Sequence, residues 1–317
     1  MKRVATIDIG TNTVLLLVAQ LQDDKLVTLA EQAEITRLGK DVDKTGRLNS
    51  EAIKRTAEVL AQYVKIANSF KVDKIFTVAT SAARDAQNSE EFFALIKQSA
   101  SLTPEIISGD EEARLVWAIT WRDFGNTQQY NSAVINSTLS VLDVGGGSSE
   151  FIFGSSNLPT ARTSLQIGSV RLAERVSSSD PMTLADLERL NSIAFENVKE
   201  LANMPGIIDI DKSRLIAVAG TATTLAAVAY KLERYDASKV HGSRLSLHAL
   251  EELQSYLASL TVEQRACLPG MEPKRADVIV AGCAIITTVM NMLGYKELVI
   301  SDRGVRWGLL YDRIQML

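Results

Sequence analysis

The sequence predicts an α/β protein built from two similar domains, and three observations carry that prediction. The chain has 317 residues, which at roughly 100–200 residues per domain suits about two. Strand-like and helix-like segments alternate along it, the pattern of layered α/β domains. A motif then recurs. TIDIGTNTVLLLV (6–18) and VLDVGGGSSEFIF (141–153) share one plan: apolar strand, Asp-X-Gly, small polar turn, apolar strand. TVATSAA (77–83) and AVAGTAT (217–223) follow in the same order at nearly the same offset, and two such pairs point to a duplication.

The elements read as follows. KRVATIDI (2–9) and VLLLVAQL (14–21) are apolar runs around a polar turn, which predicts a β-hairpin, and DKLVTLAEQ (24–32) could add a third strand. Ile53, Ala57, Leu60, Val64 and Ala67 fall at helical three-four spacing across 49–68, with Asn49 or Ser50 placed to cap the start. KIFTVAT (74–80) reads as a strand and Glu91–Ala100 as a helix. EIISGDEEARLVWAITW (105–121) reads as a short strand, a Ser-Gly-Asp turn and a helix. LSVLDV (139–144) and EFIFG (150–154) repeat the hairpin around GGGSS. Residues 183–203 form an amphipathic helix that Thr183 can cap. SRLIAVAG (213–220) is a strand leading into the helix TATTLAAVAY. VIVAGCAIITTVMNML (278–293) carries threonines and an Asn, falls short of the ~20 residues of a membrane span, and reads as a buried helix. KELVISD (296–302) is a late strand, and a short helix ends the chain. The polar stretch 123–138 has loop composition and marks the boundary, giving domains at 1–125 and 126–302.

Composition removes several function classes. Hydrophobic residues make up 46% and charged residues 23% of the chain, which suits a packed globular protein. The net charge of −4 argues against general binding of nucleic acid or anionic membrane, so an anionic ligand needs a local site. Cys267 and Cys283 give neither a disulfide framework nor a metal knuckle, which fits a reducing compartment. The N-terminus has no apolar h-region, so no secretory signal and a cytoplasmic location are expected. His241 and His248 have no third ligand, so no metal is expected there.

The chemistry concentrates in the turns. Gly145, Gly146 and Gly147, followed by Ser148, let successive backbone N–H groups converge on an anion, although glycines also simply permit a tight turn. Asp143 ends the incoming strand and Glu150 starts the outgoing one. Two carboxylates beside a phosphate cradle call for a cation between them, and oxygen ligands with phosphate suit Mg²⁺, with Mn²⁺ as a substitute. The first turn, Asp8-Ile9-Gly10-Thr11-Asn12-Thr13, repeats the arrangement with hydroxyls in place of glycines. On spacing alone, Glu111 and Glu112 in the first turn of a helix only balance its dipole, and Arg84 makes a surface ion pair with Asp85 or Glu90.

DIGTNT (8–13), DVGGGSSE (143–150) and AGTAT (219–223) resemble the actin, hexokinase and acetate kinase superfamily. Within it, ATSAARDA (79–86), IISGDEEARL (106–115), LDVGGGSSE (142–150), QIGSVRL (166–172), AGTATTLA (219–226), RADVIVAG (275–282) and SDRGVRWGLLYD (301–312) together resemble the Ppx/GppA exopolyphosphatase and guanosine pentaphosphate phosphatase family. The resemblance implies two duplicated actin-like (ribonuclease H-like) domains facing an interdomain cleft, with the last helix, about 303–317, packing back on the first domain. It implies hydrolysis of the terminal phosphoanhydride of inorganic polyphosphate or guanosine pentaphosphate with Mg²⁺ and water, in a homodimer that binds neither nucleic acid nor membrane. It places the catalytic glutamate on Glu112, a terminal-phosphate contact on Arg84, and metal ligation on Asp143 and Glu150, with Asp8 in the metal's outer shell. Asn12, Thr13, Gly145, Gly146, Gly147, Ser148, Gly220 and Thr221 would hold phosphate oxygens.

Two departures stand out. Many members carry an arginine or histidine where this chain has Leu15, so a phosphate contact is missing; Arg171, Arg303 or Arg306 could replace it. The chain also stops where the two-domain core of the family ends, which implies weaker processivity on long chains. A phosphotransferase or ATPase of the same superfamily, and a non-catalytic polyphosphate or nucleotide binder, remain as alternatives. Preference between the two substrates is not readable from the residues.

Overall fold

The computed structural model describes residues 2–22, 25–125, 138–176 and 179–314. By its contacts the chain divides into two units, Met1–Val116 with Val305–Leu317, and Trp117–Gly304. The division falls inside the helix after the Ser-Gly-Asp turn rather than at 125/126. Residues Trp121–Gly125 at the start of the polar stretch form one π-helical turn, and 126–137 lie outside the described residues.

The first unit opens with the strands β1 (Lys2–Ile9), β2 (Thr13–Gln22) and β3 (Lys25–Ile35). The short helix α1 (Val42–Thr45) and the long α2 (Ser50–Ser69) follow, then β4 (Lys74–Ala79), α3 (Ser81–Asp85), α4 (Ser89–Ala100), β5 (Glu105–Ile106) and α5 (Gly109–Thr120). The sheet order is β3-β2-β1-β4-β5, with β1 antiparallel to β2 and parallel to β4. Central β1 is buried from Val4 to Ile9, because sheet partners flank it and apolar layers cover its faces. Asn49 caps α2 by accepting the Glu51 N–H (2.9 Å), and the helix buries Ile53, Ala57, Leu60 and Ala67.

The second unit runs β6 (Leu139–Val144), β7 (Ser149–Gly154), β8 (Ala161–Leu165), α6 (Ser169–Arg175), α7 (Leu184–Val198), β9 (Arg214–Val218), α8 (Ala219–Ala229), α9 (Ala237–Val240), β10 (Arg244–Ser246), α10 (Leu247–Ser259), α11 (Val262–Ala266), α12 (Ile279–Leu293) and β11 (Glu297–Ile300). Its sheet order is β10-β11-β9-β6-β7-β8. Thr183 caps α7 in a reciprocal box with Asp186. The helix stops at Val198 and tightens into a 3₁₀ turn at Lys199–Asn203, short of the expected end. Helix α12 is buried along most of its length, as its composition predicts. No described helix is long and apolar enough to cross a membrane.

The duplication is visible strand for strand. Strands β3-β2-β1-β4-β5 correspond to β8-β7-β6-β9-β11, with the same parallel and antiparallel senses, and β10 is added at one edge. Asp8 stands opposite Leu15 on one side and Val78 on the other; Asp143 stands opposite Glu150 and Val218. The second repeated pair, TVATSAA and AVAGTAT, thus supplies the valines beside the two aspartates.

The final helix, α13 (Val305–Ile314), belongs to the first unit. Thr6 Oγ1 on β1 donates to the Arg306 carbonyl (2.9 Å). At Gly308 the helix backbone lies so close to α5 that a Cβ would come within 2.1 Å of the Leu115 carbonyl oxygen. The clash is with backbone, which cannot swing aside. Gly308→Ala should therefore cost ~1–3 kcal/mol by overpacking. In thermal denaturation this reads as a midpoint lowered by several degrees, with the far-ultraviolet spectrum unchanged.

Candidate functional site

Each hairpin turn is fixed by the segment that follows its sheet meander. In the first unit, Asn12 O accepts the N–H groups of Thr36 and Arg37 (both 3.0 Å), and Thr11 O accepts that of Gly39 (2.8 Å). In the second, Gly145 O accepts Ser169 N–H (2.9 Å), and Gly146 O accepts those of Val170 (2.9 Å) and Arg171 (3.1 Å). In a planar trans peptide the C=O and the next N–H point in opposite directions. Carbonyls held on one side therefore turn the N–H groups of Asn12 and Thr13, and of Gly146 and Gly147, to the other. N–H groups that converge in this way can receive an anion.

A glycine makes each contact possible. A Cβ on Gly39 would lie 2.3 Å from Thr11 Cγ2, and one on Gly168 would lie 2.5 Å from Gly146 C and O and 2.6 Å from Gly147 N. These two residues were absent from the sequence-derived set. The recurrence of a hydrophobe followed by Gly after the third strand, Leu38-Gly39 and Ile167-Gly168, is the signal that could have found them.

The carboxylates differ between the two turns. In the second unit Asp143 (4% exposed) and Glu150 (1%) are directly opposite across the β6–β7 pair, with Ser164 Oγ donating to Glu150 Oε1 (2.7 Å). Like charges opposite one another destabilise a sheet, so two acids directly opposite at this depth are an unusual pairing to find beside a turn. In the first unit Asp8 (8%) faces Leu15 instead. Its Oδ1 accepts no hydrogen bond among the described residues. Burial pushes its carboxyl up to about 7, against the pull of nearby Arg306. The Asn12 side-chain Nδ2 is likewise buried with no acceptor among the described residues.

Glu112 (8% exposed) and Arg84 both belong to the first unit. Ser108 caps α5, its hydroxyl accepting the Glu111 N–H (3.1 Å) and its carbonyl the Glu112 N–H (2.9 Å). Arg84 Nη1 donates to the Ile107 carbonyl (2.9 Å), one residue before that cap, and Nε lies 3.6 Å from Asp85. Arg84 is therefore tied to the loop that leads to Glu112, and its pairing with Asp85 matches the alternative read from spacing. Glu111 is engaged by Arg114, with both oxygens held at 2.7 Å.

Other sequence-derived residues are committed locally. Thr221 Oγ1 donates to Val144 O (3.1 Å), which ties α8 to β6 at the glycine turn. Gly220 is covered by the Arg275 guanidinium, where a Cβ would lie 2.1 Å from Nη2. Arg275, half-buried, was not in the sequence-derived set, although its motif RADVIVAG was. Of the three candidate replacements for the cation missing at Leu15, Arg171 donates to Gln166 (3.1 Å), Arg303 pairs with Asp123 (2.8 Å) and Arg306 with Glu31 (2.6 Å).

Two α/β units of one topology, each with an N–H turn between the first two strands of its sheet and a buried acid at the end of the strand entering that turn, define an actin-like phosphate-handling protein. Within that class the chain belongs to the Ppx/GppA phosphatase family, whose model matches residues 17–317. It is 35% identical to exopolyphosphatase 2 of Mycobacterium tuberculosis, over 97% of either chain. It is 31% identical to a bifunctional 3-dehydroquinate synthase/phosphatase of Fusobacterium nucleatum, across 98% of this chain and 46% of that one. Among solved structures, an exopolyphosphatase from Cytophaga hutchinsonii superposes with a TM-score of 0.87 at 27% identity, covering 100% of this chain and 99% of that one. The Ppx/GppA member of Aquifex aeolicus gives 0.78 at 33%, covering 99% and 98%.

Two outcomes test this geometry. Gly168→Ala should displace the glycine turn and weaken binding of tripolyphosphate at least ten-fold by calorimetry, with secondary structure retained. Asp8 holds its proton more tightly folded than unfolded, so the stability it lends is full below pH ~4 and is lost as pH rises to about 7. Each unit of separation is worth ~1.4 kcal/mol. Without divalent cations, Asp8→Asn should therefore be more stable than the native protein at pH 8, and the gain should shrink toward pH 4 in denaturant midpoints.

Proposed function

We propose that the protein removes the terminal phosphate of inorganic polyphosphate by attack of water. The observation that carries the reading is the buried Asp143–Glu150 pair set beside a turn whose N–H groups face away from its tethered carbonyls. That combination suits a polyanion accompanied by a cation, and the similarity to an exopolyphosphatase supports the choice of polyanion.

In this mechanism Glu112 orients the attacking water and takes its proton. Arg84 contributes guanidinium N–H groups beyond the one given to Ile107, and binds the terminal phosphate. The N–H groups of Asn12, Thr13, Gly146 and Gly147, with Ser148, hold phosphate oxygens. Phosphoryl transfer depends on positioning and charge neutralisation, which these groups supply without covalent catalysis. The leaving group is itself a phosphate, so no general acid is required.

The residues fit Mg²⁺. Asp143 and Glu150 offer only oxygen, and no third His, Cys, Asp or Glu joins them in a ligand cluster among the described residues. Mg²⁺ commonly takes one or two carboxylates and draws its other ligands from phosphate and water. Bound there, with Asp8 in its outer shell, the ion would neutralise charge on the phosphate oxygens, and Mn²⁺ could take its place.

The test is phosphate release with Mg²⁺ from long-chain polyphosphate, guanosine pentaphosphate and ATP in parallel, with an ADP-supplemented arm to detect transfer. Release from polyphosphate should fall ~10²–10⁴-fold in Glu112→Gln, and chelation should abolish it. Release from guanosine pentaphosphate would extend the substrate range. ATP formation in the ADP arm would make the protein a phosphotransferase. No release while polyphosphate still binds would make it a binding protein and Leu15→Arg the first reversion.

A further inference from the structure

The acidic first turn of α5 holds two adjacent glutamates whose surroundings differ. Arg114 grips Glu111 with Nε on one oxygen and Nη2 on the other, both at 2.7 Å, and Nη2 also donates to Asp312 on α13 (2.9 Å). These hydrogen bonds hold Arg114 firmly protonated, its pKa raised above the arginine range chiefly by Glu111. Asp312 lies 3.6 Å from Arg313, which donates to Glu105 on β5 (3.0 Å). The charges therefore form one chain, Glu111–Arg114–Asp312–Arg313–Glu105. Its ends lie on the two sides of the loop 107–108 that joins β5 to α5. Arg84 bonds the same loop at Ile107, and the Gly308 backbone rests on Leu115.

We infer that Arg114 and Asp312 are positioning residues that lock this loop and the first turn of α5, and so fix where the Glu112 carboxylate stands. The inference rests on the proposed role of Glu112 as the group that holds the water. Glu111 is held by Arg114 in the scaffold, and Glu112, the next residue on the same turn, is the one the proposed function assigns to the water. A bidentate Arg–carboxylate pair gives direction as well as attraction. A lysine at 114 would keep the charge and lose the fork. A network of several charges also escapes the near-zero value of an isolated surface pair. The effect falls on the turnover step, because a carboxylate displaced by a fraction of an ångström still admits substrate but misaligns the water.

The experiment measures kcat and KM on polyphosphate for Arg114→Met, Arg114→Lys, Asp312→Asn and Glu112→Gln, and for Arg114→Met combined with Glu112→Gln, with thermal midpoints in parallel. Arg114→Met should lower kcat at least ten-fold with KM within two-fold. Asp312→Asn should lower kcat less, and Arg114→Lys should restore part of the loss. In the Glu112→Gln background Arg114→Met should cost no further activity, because its effect passes through Glu112. A merely structural contact would lower the midpoint without splitting kcat from KM and would lower both backgrounds alike. If Arg114→Met does not fold, Asp312→Asn carries the same test. Unchanged kcat in folded Arg114→Met and Asp312→Asn, with Glu112→Gln inactive, overturns the inference; an active Glu112→Gln overturns the assignment of Glu112 itself.

Discussion

The tethering of turn carbonyls by the segment after each three-stranded meander is the constraint on which the rest of this structure depends. A hairpin turn left to itself uses its carbonyls within the turn. Here Thr11, Asn12, Gly145 and Gly146 give theirs to a neighbouring segment, so the N–H groups of the same peptides point away from that segment. The tether lays backbone against backbone at Gly168, where a Cβ would meet Gly146 and Gly147, and backbone against the Thr11 and Ala82 side chains at Gly39. The long meander is needed as well, because β3 and β8 deliver the tethering residues to the turn. The strand order then places β4 and β9 beside the aspartate strands.

Within that shared frame the two units differ at the register position opposite the aspartate. Glu150 and Leu15 occupy equivalent places opposite the two aspartates. An acid at that place sets two buried carboxylates against each other in the second unit, the pair to which the proposed function assigns the cation. A leucine there leaves Asp8 without an opposing acid, and burial raises its carboxyl against the pull of Arg306. One duplicated hairpin thus carries two opposed acids, and the other a single buried acid within the pull of Arg306. The structures of the two turns are alike while their electrostatics are not, which is how a repeat comes to serve two roles.

Much of this was legible in the sequence, for identifiable reasons. The hairpins β1–β2 and β6–β7 are long apolar runs broken by polar, glycine-containing turns, so period and punctuation agree. Helices α2 and α7 declare themselves by spacing and by Asn49 and Thr183 at their caps. Strands β8, Arg-Thr-Ser in its middle, and β10, three residues long, carry no comparable pattern, because pairing with a neighbour rather than their own burial makes them strands. The turn residues of the site were readable from composition. The distinction between Glu111 and Glu112 was not, since both share a helical turn and only the position of Arg114 and Asp312 separates them. Gly39, Gly168 and Arg275 escaped because their importance lies in what they touch, and a single sequence does not state contacts.

The missing cation at Leu15 can now be placed physically. Because Leu15 is directly opposite Asp8, a long cationic side chain there would lie beside that carboxyl and lower its pKa, as an adjacent positive charge does. In this chain Arg306 is the cation that acts on Asp8, and Glu31 shares it through a 2.6 Å ion pair. Arg306 is therefore divided between two acids. Arg171 and Arg303 are engaged with Gln166 and Asp123 in the other unit. None of the three is a simple transplant of an arginine on β2. On the proposed function, binding at the first turn would rest on backbone N–H groups and on the buried amide of Asn12, whose donors do not titrate. Such a turn would select for the geometry of phosphate oxygens more than for charge alone, and the Gly39 N–H bond to Thr11 O would hold that geometry in place.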